Sequence, residues 1–301
     1  MAKQKLSRPA TKLETSSRPP VTVVKSWDEL QHELLRGSWN VQLKRFRSPL
    51  AFRGLSNAAY SLVTSLGRLG NSNAAIERHL LRNFRKYAHS DFERTVDEWY
   101  WLALGQHHGL PTRLLDWTYS PYVALHFATS DTRSYDVDGA IWCVDYYEAH
   151  MMLPKALRAI LEKEGSNVFT AELLSDFAST ISDFDKKAKR ATTEKFVVLM
   201  EPPSFDPRIV NQFGLFSLMS TPTARLDDWL IDHPQLYRKI VFPAGLKLEI
   251  RDKLDQSNIT ERVLFPGLDV LSQWLARHYA PLGERHGRAP SPREPESGAP
   301  A

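Results

Sequence analysis

Two short stretches hold the side chains best placed to do chemistry. The first centres on Arg53, which ends the apolar run Pro49-Leu50-Ala51-Phe52 and is followed by Gly54. An arginine held this way points its planar fork out of the element that carries it. That geometry suits a two-pronged grip on a phosphate or carboxylate. The same residue would equally serve an internal ion pair, with Asp116 as the partner. The second stretch is Gln106-His107-His108-Gly109-Leu110-Pro111-Thr112-Arg113-Leu114-Leu115-Asp116-Trp117. It offers an amide, two imidazoles, a hydroxyl, a guanidinium, a carboxylate and an aromatic face. Gly109 permits a tight reversal and Pro111 fixes its own φ. The stretch lies between two apolar, helix-like runs, Glu98 to Leu104 and Ser120 to Ala128. Rigid loops between buried elements are where binding groups tend to sit, although the same loop also reads as a purely structural corner. Arg113 and Asp116 stand in so apolar a setting that each needs a partner, because an unpaired buried charge is too costly. The spacing predicts that Arg53, Gln106, Thr112, Arg113 and Asp116 line one cleft, where their polar groups satisfy one another and a ligand.

Other chemistries lack their patterns. His107, His108, His126 and Asp116 do not fall at HExxH-like spacing, and no metal is expected. No GxSxG, Walker A or GxGxxG motif occurs. The one cysteine, Cys143, lies in the apolar run Ala140 to Val144 and reads as a buried structural thiol. Hydrophobic residues make up 42% and charged residues 25% of the 301, enough to bury a substantial core. A net charge of +4 permits contact with an anionic small molecule or nucleic acid without demanding either. The aromatic helix Trp99-Tyr100-Trp101 and the run Lys186 to Arg190 are the features that would serve nucleic acid. Three successive aromatics point to different helix faces, however, so core positions are expected for most of them. No run is long enough to span a bilayer, so no membrane partner is expected. Lys3, Lys5 and Arg8 are not followed by the apolar core of a signal peptide, and a cytoplasmic location is expected.

Positioning these groups falls to a mixed set of elements. Residues 1–20 read as a disordered basic arm and residues 283–301 as a disordered tail, leaving a domain over about 21–282. Ser26 with Glu29 signals a helix to about Arg36. Pro49 to Gly54 reads as a buried strand and Ser65 to Arg68 as a loop. Helices are expected over Asn73 to Ala88, Thr95 to Gln106, Ser120 to Ala128, Pro154 to Glu164, Thr170 to Asp183 and Leu246 to Leu254. Leu268 to Tyr279 is a closing helix with Leu271, Trp274, Leu275 and Tyr279 on one face. Asp185 to Arg190 reads as a connection or a solvated helix end. Strands are expected over Gly139 to Val144, Lys195 to Met200, Leu215 to Met219 and Tyr237 to Phe242. The elements do not alternate as βαβ units. The fold class is therefore α+β, with small mixed or antiparallel sheets surrounded by helices in a single domain.

Several of these blocks, in this order, resemble the FRG-domain family, named for the triplet Phe52-Arg53-Gly54. The resemblance covers Gln106 to Trp117, Ser120-Pro121 and Ala124-Leu125-His126-Phe127-Ala128. It continues through Arg208 to Phe216, Ile240-Val241-Phe242-Pro243 and Leu264-Phe265-Pro266-Gly267-Leu268-Asp269, spanning about Trp27 to Leu275. The early apolar-apolar-Arg-Gly strand is also similar to the first motif of arginine-type ADP-ribosyltransferases, whose arginine grips NAD. That likeness implies a transferase-like enzyme that binds NAD through Arg53, Gln106, His107, Thr112, Arg113, Asp116 and Trp117, with Trp117 or a neighbouring aromatic stacked on nicotinamide. The Ser-Thr-Ser motif of those enzymes is absent, and so is their Glu-x-Glu or Gln-x-Glu. Glu261, and after it Glu201, are the candidate catalytic carboxylates, and Arg53 with Glu261 forms the implied catalytic pair. The other function class is a nucleic-acid-binding or protein-interaction module without catalysis.

Overall fold

A computed structural model describes residues 20–70, 74–88 and 97–280. The arm expected over residues 1–20, except Pro20, and the tail over 283–301 lie outside the described residues. Nine strands are described: β1 Val21–Val23, β2 Trp39–Asn40, β3 Arg45–Phe46, β4 Leu50–Leu55, β5 Leu115–Thr118, β6 Gly139–Asp145, β7 Val197–Met200, β8 Gly214–Met219 and β9 Tyr237–Phe242. Seven of them form one sheet in the order β1-β9-β6-β4-β5-β8-β7, while β2 and β3 pair as a separate ribbon. Every pairing in the large sheet is antiparallel except β1 with β9. With helices on both faces, this is an α+β domain.

Side-chain alternation along the strands sorts the interior into three apolar clusters. One face of the sheet carries Ala51, Leu55, Trp117, Trp142, Val144, Leu199 and Leu215, covered by the helix Leu226–Ile231. The opposite face carries two clusters side by side. Phe52, Ile141, Cys143, Ile240 and Phe242 pack under the helices Trp27–Leu35, Pro121–Thr129 and Lys247–Gln256. Val198, Met200, Phe216 and Leu218 pack under Glu98–His107, Lys155–Glu164, Ala171–Phe177 and Ile181–Ala191. The boundary between these two clusters falls where β4 meets β5. There β4 keeps six residues in register with β6, from Leu50 opposite Asp145 to Leu55 opposite Ala140. Its pairing with β5 is confined to Phe52 opposite Thr118. The sheet is therefore split along this seam.

Gly54 explains how a helix comes so close to the seam. A Cβ at this position would lie 1.8 Å from the carbonyl oxygen of Ala124 and 2.8 Å from the nitrogen of Ala128. The backbone of helix Pro121–Thr129 thus rests directly on β4, and only glycine leaves room for it. Ser120 caps this helix by accepting from Val123 N–H, and Pro121 opens it.

Several expectations are corrected. Leu115 to Trp117 belongs to the interior strand β5, not to a loop: the residues alternate between the two faces and pair with Ser217, Phe216 and Leu215. Ser65–Arg68 is a short helix, because the Thr64 hydroxyl accepts from Gly67 N–H and caps it. The helix expected over Thr170 to Asp183 breaks after Phe177. Thr180 then caps a new helix, Ile181–Ala191, which takes in the charged run. In the helix Leu268–Tyr279, Leu275 and Tyr279 are exposed, and no residue is fully buried. Ion pairs made by Arg277 to Asp255 and Glu261 hold it instead. Trp99 and Trp101 are core residues, as their helix position implies. Among the described residues no helix is long and apolar enough to cross a membrane.

Candidate functional site

A cleft of about 490 Å³ opens at the split seam. Residues 52–56 of and after β4 form one side, and Asp116, Trp117 and Thr118 of β5 the other. Gln106, His107 and Gly109 close one end, Phe127 lies beside β4, and Arg208, Ile209, Gln212 and Phe265 complete the wall.

Arg53 is the central cation. Its side chain is 18% exposed. Nη1 donates to the backbone carbonyl of Asp116, a strand carbonyl facing the gap, and lies 3.8 Å from Asp116 Oδ2. Nε is buried and has no hydrogen-bond partner. Burial pushes the pKa of Arg53 down, opposed by Asp116, while the Arg68 charge adds to the lowering. A guanidinium remains charged under such a shift. The site thus holds a cation with hydrogen-bonding capacity unused by the fold.

Asp116 is the carboxylate of the lining. Its side chain is 61% exposed, and both oxygens accept from Gln106 Nε2 at 3.0 Å. Gln106 is held in turn by Thr112, whose hydroxyl donates to Gln106 Oε1 at 2.5 Å. Thr112 is fully buried and anchored by its backbone to Ser65, its N–H donating to Ser65 Oγ at 3.0 Å. A relay of hydrogen bonds therefore runs from the short helix Ser65–Arg68 through Thr112 and Gln106 to the carboxylate.

Four residues expected in the site are placed differently, the first being Thr112, which is buried behind Gln106 and outside the lining. Arg113 lies behind the wall with a side chain 1% exposed. It donates from its backbone N–H and Nε to Glu77 at 2.9 and 2.7 Å, and from Nη1 and Nη2 to Asp185 at 2.6 and 3.1 Å. Burial works against its charge, yet Glu77 and Asp185 outweigh burial and raise its pKa. Its partner is therefore not Asp116, and Arg113 ties the helices Ala74–Tyr87 and Ile181–Ala191 to the seam. Glu261 is outside the lining. Burial opposes its charge, but Arg277 and Arg251 hold its pKa down, with Arg251 Nη2 donating at 2.7 Å and Arg277 Nη2 at 2.8 Å. Glu201, the second candidate, is exposed outside the lining and accepts from the Tyr119 hydroxyl at 2.8 Å. Trp117 does line the cleft, but it is 4% exposed and its indole donates to Ser217 Oγ. The aromatic faces better placed for stacking are Phe127 and Phe265, whose rings meet edge to face at 5.9 Å. The neighbouring His126 is fully buried and held neutral, its pKa pushed down to about 3 by burial and by Arg251.

Sequence reasoning did not single out Arg208, although it lies in one of the recognised blocks. It belongs to the helix Pro207–Asn211, capped by Asp206, whose Oδ1 accepts from Arg208 N–H at 2.7 Å. His107 Nε2 lies 3.0 Å from the other oxygen of Asp206. Asn211 and Gln212 donate to the carbonyls of Val263 and Leu264, which fixes the segment that presents Phe265. The signal available in the sequence was an arginine just after Asp-Pro, a capped helix start.

The fold and site together define an α+β protein with a ligand-sized cleft in a split sheet, lined by two guanidiniums and one carboxylate. The model of the FRG domain matches residues 48–137, and the chain carries an FRG domain over that span. The matched residues include β4, β5 and the helices on either side of β5. Arg208, Gln212 and Phe265 come from later in the chain. No curated protein and no solved structure matches the chain.

Proposed function

We propose that the cleft binds a phosphate-bearing nucleotide, with NAD the ligand that best joins its features, and that it supports transfer of an ADP-ribosyl group. The observation that carries this reading is Arg53. It is a nearly buried guanidinium at the split of the sheet, with Nε unbonded and one Nη committed to a backbone carbonyl. Such a group favours an anion that brings paired oxygens. Phe127 and Phe265 give a planar ring an aromatic corner beside it. Bound NAD would supply an ADP-ribosyl group activated by a cationic leaving group. Arg53 would grip a phosphate. Asp116, fixed by Gln106, would take the role first given to Glu261 and place negative charge where the ribose becomes positive. The experiment is incubation of the full chain with labelled NAD, scoring release of nicotinamide and label on protein, RNA or DNA. Transfer or release that disappears in Asp116→Asn, with binding retained, is expected. Binding of NAD with no turnover under any acceptor would reduce the reading to a binding module.

A further inference from the structure

Arg208 meets the cleft with a guanidinium that has no hydrogen-bond partner among the described residues, although its charge helps keep Asp206 ionised. Its side chain makes no hydrogen bond or ion pair among the described residues, and its Nε is buried without a partner. The guanidinium lies over the Phe265 ring, 5.0 Å from the centroid. Asp206, the carboxylate nearest in sequence, is occupied by the Arg208 backbone N–H and by His107. The carboxylate of the cleft, Asp116, is bonded to Gln106. The lining thus sets two guanidiniums against one engaged carboxylate.

We propose that Arg208 is a second anion-binding residue of this cleft, and that with Arg53 it selects ligands carrying two linked phosphates over those carrying one. The inference rests on the nucleotide-binding reading above. Each guanidinium is fixed by its own contact, Arg53 at the backbone of β5 and Arg208 on the face of Phe265. They stand on separate elements, β4 and the helix Pro207–Asn211. Two cations seated on separate elements give one cleft two points at which an anion can be held. A diphosphate offers an anionic group to each, and its charge offsets the surplus cation of the wall. The stack on Phe265 keeps Arg208 extended toward the cleft before any ligand arrives, so little side-chain freedom is lost on binding.

The test is calorimetric titration of the full chain with ADP and with AMP, in the native protein and in Arg208→Ala, Arg208→Gln and Arg53→Ala. The native protein should bind ADP about 10- to 100-fold more tightly than AMP, the scale of one charge-assisted contact. Both Arg208 variants should lower ADP affinity to near that of AMP, leave AMP affinity within about threefold and keep the native melting temperature. Arg53→Ala should weaken both ligands. Equal weakening of ADP and AMP by the Arg208 variants, or no weakening of either, would overturn the assignment while leaving the nucleotide site in place. Failure of the native protein to bind either ligand would overturn the nucleotide reading itself, and the assignment with it.

Discussion

Arg53 and Arg113 put the same guanidinium to opposite uses. Arg113 directs Nε, Nη1 and Nη2 to two carboxylates and is sealed from solvent. Arg53 has one bond to a carbonyl and an orphaned Nε in an open cleft. Removing Arg113 leaves Glu77, 1% exposed, as an uncompensated buried charge. Arg113→Ala should therefore destabilise by about 3–5 kcal/mol, read from urea unfolding. Asp116→Ala should cost no more than about 1 kcal/mol, because the carboxylate is mostly in solvent. A large loss in Asp116→Ala with little in Arg113→Ala would reverse the assignment. The sequence showed that both charges needed partners but not which. Glu77 and Asp185 lie 36 and 72 residues from Arg113, separations at which charge pairing leaves no local pattern.

At the scale of elements, the split between β4 and β5 makes the site, and Gly54 sets how closely helix Pro121–Thr129 approaches it. Gly54→Ala puts a methyl into the Ala124 carbonyl, and backbone cannot step aside as a flexible side chain would. The substitution should cost about 3 kcal/mol, at the upper end of ordinary overpacking, and loosen ligand binding by shifting the cleft wall. Unchanged urea midpoint and affinity would contradict the close packing of helix on strand. The apolar run before Arg53 made β4 legible, and the Ser-Pro start made the helix legible. β5 was hidden because Leu115-Asp116-Trp117 is too short to display alternation against the turn residues before it. The split itself is a missing set of inter-strand hydrogen bonds, which no residue type announces.

Across the whole molecule, two of the three apolar clusters lie side by side on one face of the sheet, with the cleft at their boundary. The FRG-matched span supplies the Arg53 and Asp116 walls, and later residues supply the Arg208 and Phe265 wall. Both walls must fold for a site to exist. The clusters also bury histidines that stay neutral: burial and Arg251 push His126 down to about 3, and burial pushes His150 down to about 4. In the unfolded chain each protonates near its ordinary 6.5, so the unfolded state takes up protons first. Their stabilisation is present above about pH 6.5 and is lost as pH falls, by about 2 kcal/mol each at pH 5. Asp145 acts in the opposite sense: burial holds its carboxyl at about 6, so the folded state takes up that proton first and gains stability below pH 6. The net expectation is a loss of about 2 to 3 kcal/mol between pH 7 and pH 5, measured by urea unfolding. Stability flat or rising over that range would show that the histidines are not sealed as described. The three-cluster plan was partly legible, since apolar runs marked β4, β6, β7, β8 and β9. The closing helix was legible in its bounds, Leu268–Tyr279, but not in what holds it, because its apolar stripe pointed to burial where Arg277 instead pairs with Asp255 and Glu261.

The central claim is that the split seam is a phosphate-binding site gripped by Arg53. Calorimetric titration of ADP-ribose into the native chain and into Arg53→Ala, with melting curves for both, tests it most directly. Saturable one-to-one binding by the native protein, lost by about 10- to 100-fold or more in Arg53→Ala at nearly unchanged melting temperature, is the predicted result. A marked loss of thermal stability in Arg53→Ala, with no binding by the native chain, would show instead that Arg53 only bridges two strands of the fold.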